Sequence, residues 1–422
     1  MAKKEDLSFD LIIAGGGAAG LCGAVAAAKK YPRLRIGIVE KEVRVGKRLL
    51  ATGNGRCNFT NIYADASKYQ GNTAKASPAL KAFPPQSNIK FFEELGIFPR
   101  YEAAGRVYPY SNQAGAFVDA LRLAGEHLGI TALTSREITR VQYLAPGFRL
   151  ETTGGNICCQ KLILAAGGQA APTLGGSDKG LKLAAELGHQ IKTTYPALVQ
   201  LKTENSLTKA LKGLRFQGTL TLWQKNLILG KTTGEILFTD YGLSGIAAMS
   251  LSRFLPPEKE DNLQVTLDFC PEMTNRELKQ FLLKRQQDLH YLTLENYLTG
   301  FLNKKIGQLI IKKTLTRKLS AAVKELGKEE INALSHSLKN LNLKVTGTMG
   351  WQQAQVTGGG VSFENICDKT LASKLKPGLY FAGEILDIYG DCGGYNLQWA
   401  WSSGRLAALS AAAAWSEENA EN

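Results

Sequence analysis

The segment from Asp10 to Glu40 restricts the fold more than any other part of the chain. It opens with a short apolar strand, Leu11 to Ala14, and turns through Gly-Gly-Gly-Ala-Ala-Gly at 15–20, which fits the pattern G-x-G-x-x-G. An Ala-rich helix follows, and a second apolar strand, Arg35 to Val39, leads directly into an acid. This order of strand, glycines, helix, strand and acid is typical of a βαβ unit that binds a dinucleotide.

Each part of this segment has a physical role in such a unit. Gly15 permits the tight turn, Gly17 lets the backbone approach a pyrophosphate, and Gly20 lets the helix pack closely on the strand. The helix N-terminus offers free N–H groups and a favourable dipole to the phosphates. Glu40 is placed to accept hydrogen bonds from a ribose diol, and its charge disfavours a 2′-phosphate. We therefore predict that the segment holds the ADP half of a dinucleotide.

The composition favours a globular protein without metal or disulfide bonds. A chain of 422 residues, 44% hydrophobic and 21% charged, is expected to form two or three domains. The seven cysteines are odd in number and no secretory signal is visible, which indicates reduced thiols and a cytoplasmic location. Glycines interrupt the apolar run at 11–28, so we predict no membrane span. C-x-x-C is absent and the four histidines are scattered, so no metal site is expected.

The formal charge of +14 raises the question of a polyanionic partner. Residues 273–344 carry fourteen Lys and Arg against six Asp and Glu, and such a face is usually only solvated. The aromatic residues available there for base stacking are few: Phe281, Tyr291, Tyr297 and Phe301. Nucleic acid therefore stays open as a partner, while a small-molecule substrate is favoured.

The pattern of elements changes twice along the chain, which predicts an inserted domain. From 193 to 272 short strands alternate with Gly and Pro, as in an antiparallel sheet or small barrel. Residues 273–344 have a helical pattern, with one helix predicted over 306–326. We therefore predict a discontinuous α/β domain formed by 1–192 and 345–422, an inserted β domain at 193–272, and a basic helical subdomain at 273–344.

A second strand-to-glycine element near the C-terminus indicates the kind of dinucleotide. The strand Leu379 to Ala382 leads into Gly383-Glu384, and Gly393-Gly394 opens a helix a few residues later. An acid at a strand end can bind a ribityl hydroxyl, and a helix N-terminus can stabilise negative charge on a reduced isoalloxazine. No histidine lies in a Gly-rich motif, whereas a nicotinamide dehydrogenase often uses one. This layout predicts FAD.

Five stretches give the chain a resemblance to a known family. They are GGGAAG at 15–20, GKRLLATGNGRCNFTN at 46–61, GRVYPYSNQA at 105–114, GEILFTDYGLSG at 234–245 and a long stretch at 357–404. In them the chain resembles the YhiN-like or BaiN-like flavoproteins, also called aminoacetone-oxidase-like. The resemblance implies a Rossmann-like FAD domain of the two-dinucleotide-binding-domain type with an inserted β-barrel and helical region.

One position departs from the family pattern. Asp240 stands in Thr-Asp-Tyr-Gly at 239–242, where the family commonly has Thr-His-Tyr-Gly. If the usual histidine takes part in proton transfer or substrate binding, this chain acts on a different substrate or more weakly.

The resemblance also implies which residues bind FAD. The glycine turn would hold the pyrophosphate, the acid and lysine after the second strand would hold the adenosine ribose, and the loop at 46–58 would pass along the ribityl chain and beneath the isoalloxazine. A strand after the next helix would meet adenine through its backbone, and the C-terminal motif would hold the flavin end. The residues implied are Gly15, Gly17, Ala18, Ala19, Gly20, Glu40, Lys41, Lys47, Arg48, Gly53, Asn54, Gly55, Arg56, Cys57, Asn58, Ile138, Gly167, Gly168, Gly383, Glu384, Gly394, Tyr395, Asn396 and Leu397.

Structural explanations compete with some of these roles. The glycines of the loops can serve turn geometry alone, and Arg56 can brace its own loop. For Cys57 and Cys392 we favour packing over a reactive thiol beside the ring, because no nearby base or second cysteine would activate either one. Trp399 and Trp401 are predicted to belong to the core.

The predicted function is that of an FAD-dependent oxidoreductase, with hydride passing between a small organic substrate and noncovalent FAD. Only one adenine-binding βαβ unit is present, so NAD(P)H, if it is the donor, must share the open flavin face with the substrate. The resemblance allows reduction of an activated C=C bond or oxidation of a small amine by O₂, and a flavin-containing protein that docks on RNA is the rival hypothesis. The acid–base candidates are Asp387, Tyr389, Asp391, Asp240 and Tyr241.

Overall fold

The computed structural model describes residues 6–255 and 262–420. Its contacts divide the chain into two compact units. The first is formed by the chain up to Pro196 and from Ala354 onward, and the second by Ala197–Gln353. The boundaries predicted after 192 and after 344 lie four and nine residues too early, because the strands at these positions continue to Ala197 and to Thr348.

The N-terminal part of the first unit alternates strands and helices as predicted. Its elements are β1 Leu7–Ala14, α1 Ala18–Lys30, β2 Ile36–Val39, β3 Thr60–Asn61, β4 Tyr69–Gly71, α2 Thr73–Ala82, α3 Pro85–Glu93, β5 Pro99–Tyr101, β6 Arg106–Pro109, α4 Ala114–His127, β7 Thr131–Leu133, β8 Ile138–Leu144, β9 Gly147–Thr152, β10 Ile157–Leu164, α5 Lys179–Glu186 and β11 Ile191–Ala197.

The main sheet has the strand order β7-β2-β1-β10-β9-β8. β7, β2, β1 and β10 are parallel neighbours, and β9 and β8 extend the sheet as an antiparallel meander. β2 is buried along its whole length, as expected for a parallel strand covered on both faces. The carboxyl ends of β1, β2 and β10 therefore lie side by side, and ligands bind at this edge in open α/β sheets.

The second unit contains a closed six-stranded barrel, in which neighbouring strands are, in order, β12 Leu201–Thr203, β15 Gly242–Ser244, β14 Leu227–Phe238, β13 Arg215–Gln224, β16 Leu263–Asp268 and β17 Leu341–Thr348. This confirms the small barrel that was one of two sequence predictions, and its sixth strand, β17, lies outside the predicted range of 193–272. Leu220, Leu222, Phe238, Val265 and Leu267 alternate inward and are fully buried. The elements of the unit are β12 Leu201–Thr203, α6 Asn205–Ala210, β13 Arg215–Gln224, β14 Leu227–Phe238, β15 Gly242–Ser244, α7 Ile246–Leu251, β16 Leu263–Asp268, α8 Asn275–Asp288, α9 Lys304–Thr314, α10 Lys328–Lys339 and β17 Leu341–Thr348.

The single helix predicted over 306–326 is wrong, because α9 ends at Thr314. Leu315 is already extended, and the backbone after it pairs with another loop, since Leu294 N–H donates to Ala321 O at 2.9 Å. The Arg317 guanidinium also binds Glu330 at 2.6 Å across the bend. The apolar residues of this segment thus reach the core from a loop rather than from a continuous helix.

The chain then returns to the first unit with β18 Val356–Val361, β19 Leu379–Phe381, β20 Ile388–Gly390 and α11 Tyr395–Ala420. β19 joins the main sheet parallel to β10, β18 pairs with β11, and β20 pairs with β4. Gly358–Gly360 lie inside β18, so this glycine run opens no helix.

α1 and α11 cross at very short range, which explains the small residues on both. A Cβ at Gly23 would lie 2.6 Å from Gly404 O, and one at Gly404 would lie 2.3 Å from Ala19 O. Trp399 and Trp401 of α11 are buried, as predicted. The two helices, which both begin beside the predicted cofactor site, therefore pack directly against each other.

Candidate functional site

The start of α1 is shaped to receive an anion. Gly17 is the N-cap in an extended conformation, and a Cβ there would meet nothing of the described chain within 4 Å. Within the described residues no side chain caps the helix and no acid lies in its first turn. The first N–H groups of α1 therefore face open space at the carboxyl edge of the sheet.

Gly15 and Gly20 are required by the close packing around this turn. Gly15 has φ +114°, and a Cβ on it would lie 2.5 Å from Ala165 O at the end of β10. A Cβ on Gly20 would lie 2.0 Å from Gly15 O. The turn, the helix and the sheet thus meet as the G-x-G-x-x-G pattern predicts.

Glu40 is held beside the glycine turn by backbone N–H groups. Its Oε2 accepts from Gly16 N–H at 2.8 Å, and its Oε1 accepts from Glu42 N–H at 2.9 Å. Arg136 N–H donates to Glu40 O at 2.9 Å, which brings the start of β8, where Ile138 lies, next to this acid. The proposed ribose and adenine contacts are therefore neighbours.

An ion pair between Arg48 and Glu384 joins the N-terminal and C-terminal parts of the first unit. The guanidinium lies 3.1 Å from the Glu384 carboxylate, and it also donates to Gln355 O at 2.9 Å. Glu384 accepts a further hydrogen bond from Thr357 N–H at 2.9 Å. Lys47 is instead paired with Glu42 at 2.8 Å. Arg48 thus links the loop at 46–58 with the C-terminal motif.

Within that loop, Arg56 binds other side chains of the first unit. It forms an ion pair with Glu102, donates to Asn112 Oδ1 at 2.7 Å, and lies 4.0 Å from the centre of the Tyr108 ring. These contacts favour the bracing explanation. Cys57 is fully buried, and burial raises the pKa of its thiol to about 12, which favours packing over reactivity.

The N-terminus of α11 lies against the same loop. Gly394 has φ +100°, and a Cβ on it would lie 2.5 Å from Thr60 O and 3.0 Å from Asn58 Oδ1. Asn58 Oδ1 is buried and has no hydrogen-bond partner among the described residues. The Asn396 side chain exchanges hydrogen bonds with Gly390 N–H and O at 2.7 and 2.9 Å. An orphan acceptor and a helix start thus lie side by side.

These features fit FAD. The α1 turn can take its pyrophosphate, Glu40 its ribose, and the loop and α11 its flavin end, and all of these residues belong to the first unit. The predicted assignment of single residues to FAD atoms remains a prediction.

The acid–base candidates of the C-terminal motif differ in accessibility. Tyr389 in β20 is only 2% exposed, and its hydroxyl lies 3.2 Å from that of Tyr195 in β11. Burial raises the pKa of Asp387 to about 6, partly opposed by the Lys192 charge. Tyr195 was missed by the sequence reasoning, since no local motif marks it and only the pairing of β11 with β18 brings it here.

Asp240 and Tyr241 lie in the second unit, in the turn between β14 and β15. The Asp240 carboxylate pairs with Lys212 Nζ at 2.6 Å, and this hydrogen bond lowers its pKa. It therefore stays ionised near neutral pH and is poorly suited to donate a proton.

Comparison with known proteins shows to which family the chain belongs. Residues 9–410 match the family described as HI0933-like protein Rossmann domain. The chain belongs to this family. It is 34% identical over 403 residues to the 3-dehydro-bile acid delta(4,6)-reductase of Clostridium scindens, covering 95% of this chain and 98% of that protein. It is 30% identical over 400 residues to the ribosomal RNA dihydrouridine synthase of Escherichia coli, covering 94% and 96%. These relatives confirm the resemblance to the YhiN-like and BaiN-like flavoproteins.

A solved structure supports the fold. The chain matches the 3-ketosteroid delta1-dehydrogenase of Sterolibacterium denitrificans with a TM-score of 0.50 and 13% identity, covering 96% of this chain and 100% of that one. The predicted fold class, a Rossmann-like FAD-binding domain with an inserted barrel and helical region, is confirmed. The protein is an FAD-dependent oxidoreductase. Among the residues that the structure describes, no helix combines the length and apolarity needed to cross a membrane.

Proposed function

We propose that this protein reduces a carbon–carbon double bond conjugated to a carbonyl group. The observation that carries the proposal is that both relatives are named for this kind of bond. One name denotes a 3-oxo bile acid with C4 and C6 double bonds, and a dihydrouridine synthase saturates the uridine double bond next to a carbonyl. A reaction class shared by two relatives transfers to this chain more readily than either substrate, because substrate choice depends on a few pocket residues.

Reduction of such a bond needs a hydride at the β-carbon and a proton at the α-carbon. Reduced FAD, when bound, supplies the hydride. NADH or NADPH is proposed as the donor that reduces FAD, using the same open flavin face as the substrate. The chain itself must supply the proton from a positioned acid and keep the carbonyl polarised.

An anaerobic reduction screen tests this function. Purified protein with FAD is mixed with NADH, NADPH or a small amine such as aminoacetone, and the loss of the visible flavin band is followed. The reduced protein is then mixed with a 4-ene-3-oxosteroid, with uridine-containing RNA, or with air. We expect reduction by a nicotinamide and rapid re-oxidation by a conjugated carbonyl compound. Reduction by the amine alone, with re-oxidation only by air, would make the protein an amine oxidase and overturn the proposal.

A uridine in RNA is the second candidate substrate, and α9 favours it. Lys305 and Lys312 are seven residues apart and so share a helix face, and Lys313 is adjacent. All three are exposed, and within the described residues none of them forms an ion pair, whereas Lys304 pairs with Glu295 at 3.3 Å. A helix face with uncompensated cations suits a phosphate backbone.

Binding measured across a salt series distinguishes this candidate. Steep salt dependence on ribosomal RNA, together with turnover of RNA and not of a steroid enone, would support the uridine substrate. Weak binding with turnover of the steroid enone would exclude it.

A further inference from the structure

Two tyrosine hydroxyls meet in the first unit beside the predicted flavin end. Tyr195 OH and Tyr389 OH are 3.2 Å apart, and the rings meet edge to face with centroids 6.2 Å apart at 86°. The Tyr195 ring rests on Gly358 of β18, where a Cβ would lie 2.4 Å from its Cζ. A side chain at 358 would displace the ring, so the sequence keeps this space for the tyrosine.

Backbone contacts on both sides place this pair next to the C-terminal motif. Thr357, the residue before Gly358, donates its N–H to Glu384 Oε1 at 2.9 Å. Gly390, the residue after Tyr389, is held by the Asn396 side chain at the start of α11. The hydroxyl pair is therefore tied to the acid predicted to hold the ribityl chain and to the helix start predicted to face the flavin ring.

The two tyrosines differ in access. Tyr389 is 2% exposed, whereas Tyr195 is partly exposed, so only Tyr195 can touch a bound molecule without rearrangement. Burial raises the pKa of Tyr195, partly opposed by its hydrogen bond with Tyr389, so the Tyr195 phenol is protonated near neutral pH. The Asp387 side chain lies against Gly71 of β4, where a Cβ would be 2.9 Å from Oδ1. A protonated phenol at the surface is thus backed by a second phenol and a half-buried carboxyl group.

We propose that Tyr195 is the catalytic acid that protonates the α-carbon of the conjugated substrate, with Tyr389 as the positioning residue that hydrogen-bonds it. This inference rests on the proposed function. The hydride and its electron pair form the new C–H bond at the β-carbon, and the Tyr195 proton forms the one at the α-carbon. The Tyr195 phenolate then takes the Tyr389 proton, and solvent restores a proton to the pair through the partly exposed Tyr195. The reductant consumed is one NADH or NADPH per double bond.

Single-turnover kinetics separate the role of Tyr195 from a structural one. Wild type, Tyr195→Phe and Tyr389→Phe are loaded with FAD, and Tyr143→Phe serves as a matched control because the Tyr143 ring packs on Phe148 in the meander of β8 and β9. For Tyr195→Phe we expect flavin reduction by the nicotinamide within about twofold of wild type, but re-oxidation by the enone slower by about 100-fold, the usual contribution of a general acid. Tyr389→Phe should slow re-oxidation by less, about tenfold, because Tyr195 keeps its own proton.

Two further readouts do not depend on rate alone. A solvent deuterium isotope effect on re-oxidation should be present in wild type and change in Tyr195→Phe. The affinity for the saturated ketone product, measured from the flavin absorbance of the oxidised protein, should stay near the wild-type value, which shows that the site is intact.

The outcomes distinguish this inference from the proposed function. If reduced wild type is not re-oxidised by any conjugated carbonyl compound, the proposed function fails and this inference with it. If wild type is re-oxidised while Tyr195→Phe reacts at the wild-type rate with the same isotope effect, Tyr195 is not the acid and the proposed function stands. Loss of product binding in Tyr195→Phe, with unchanged Tyr389→Phe kinetics, would also overturn the inference, because the hydroxyl would then serve binding alone.

Discussion

Gly20 lies in the first turn of α1, where a Cβ would be 2.0 Å from Gly15 O. Backbone atoms cannot move aside as the end of a side chain can. We therefore expect Gly20→Ala to lower the free energy of unfolding by about 3 kcal/mol, the upper end of the usual cost of overpacking, and to weaken FAD binding. Gly115→Ala is the matched control, because Gly115 lies in α4 and a Cβ there meets nothing of the described chain within 4 Å. Thermal unfolding and FAD titration measure both variants. A stable Gly20→Ala with full FAD uptake would show that the turn is not packed as described.

Asp387 should make stability fall as pH rises through the acid range. Its pKa is raised from 3.8 to about 6 in the folded protein, so between these values the folded state binds more protons than the unfolded state. The contribution of Asp387 to the unfolding free energy of wild type therefore decreases as pH rises through this window, and Asp387→Asn lacks this contribution. We expect the variant to gain stability relative to wild type from pH 4 to pH 7, with most of the change complete just above pH 6. If the difference in melting temperature between wild type and Asp387→Asn stays constant with pH, the raised pKa of Asp387 is contradicted.

Sequence reasoning identified single residues well where a local pattern carries the role. Gly15, Gly17 and Gly20 lie as the motif predicts because turn, helix and strand are contiguous in sequence. Tyr195 was missed because its partner lies 194 positions away in Tyr389. The ion pair between Asp240 and Lys212 was equally hidden, since the two residues are 28 positions apart in the chain.

Among the elements, α9 offers a test of the RNA hypothesis. Replacing Lys305, Lys312 and Lys313 by Gln should weaken RNA binding and reduce the slope of log K against log salt by about 0.7 for each phosphate that the variant no longer neutralises. Matched replacement of the exposed Lys30, Lys81 and Lys90 in the first unit should change the slope little. Binding is measured by fluorescence anisotropy at several salt concentrations. If both sets reduce the slope equally, α9 has no special role and the attraction is a general effect of net charge.

The elements themselves were predictable where periodicity agrees with long-range packing. The strands around the glycine turn and the start of α11 were predicted close to their observed positions. The helix predicted over 306–326 failed because the helical spacing of its apolar residues persists into a loop, where Leu315 and Val323 are still buried. The spacing of apolar residues indicates which residues are buried. It does not indicate whether the backbone forms helical hydrogen bonds or hydrogen bonds to a neighbouring loop.

At the scale of the whole chain, the second unit is inserted into the FAD-binding unit. The two points of the FAD-binding unit where the chain leaves and returns, Pro196 and Ala354, lie at or next to the ends of paired strands. β11 leads out of the first unit and β18 leads back, and the two strands pair. A Cβ on Gly358 would contact Tyr195, and one on Gly359 would contact Thr193 O, so the strands run in opposite directions. Pro196 and Ala354 therefore lie at the same end of this strand pair, and a short turn can join them.

We expect a chain in which a short Gly-Ser linker replaces 197–353 to fold and to bind FAD with an affinity close to that of the full chain. The physical reason is that each unit buries its own separate apolar core, and that the residues predicted to contact FAD all belong to the first. FAD titration and cooperative thermal unfolding measure the result, and the isolated 197–353 fragment, which should fold without taking up FAD, is the control. A trimmed chain that unfolds cooperatively yet binds no FAD would show that the second unit supplies part of the cofactor site. If it binds FAD and is reduced by a nicotinamide, but no longer reduces the enone, reduction of the enone depends on the second unit.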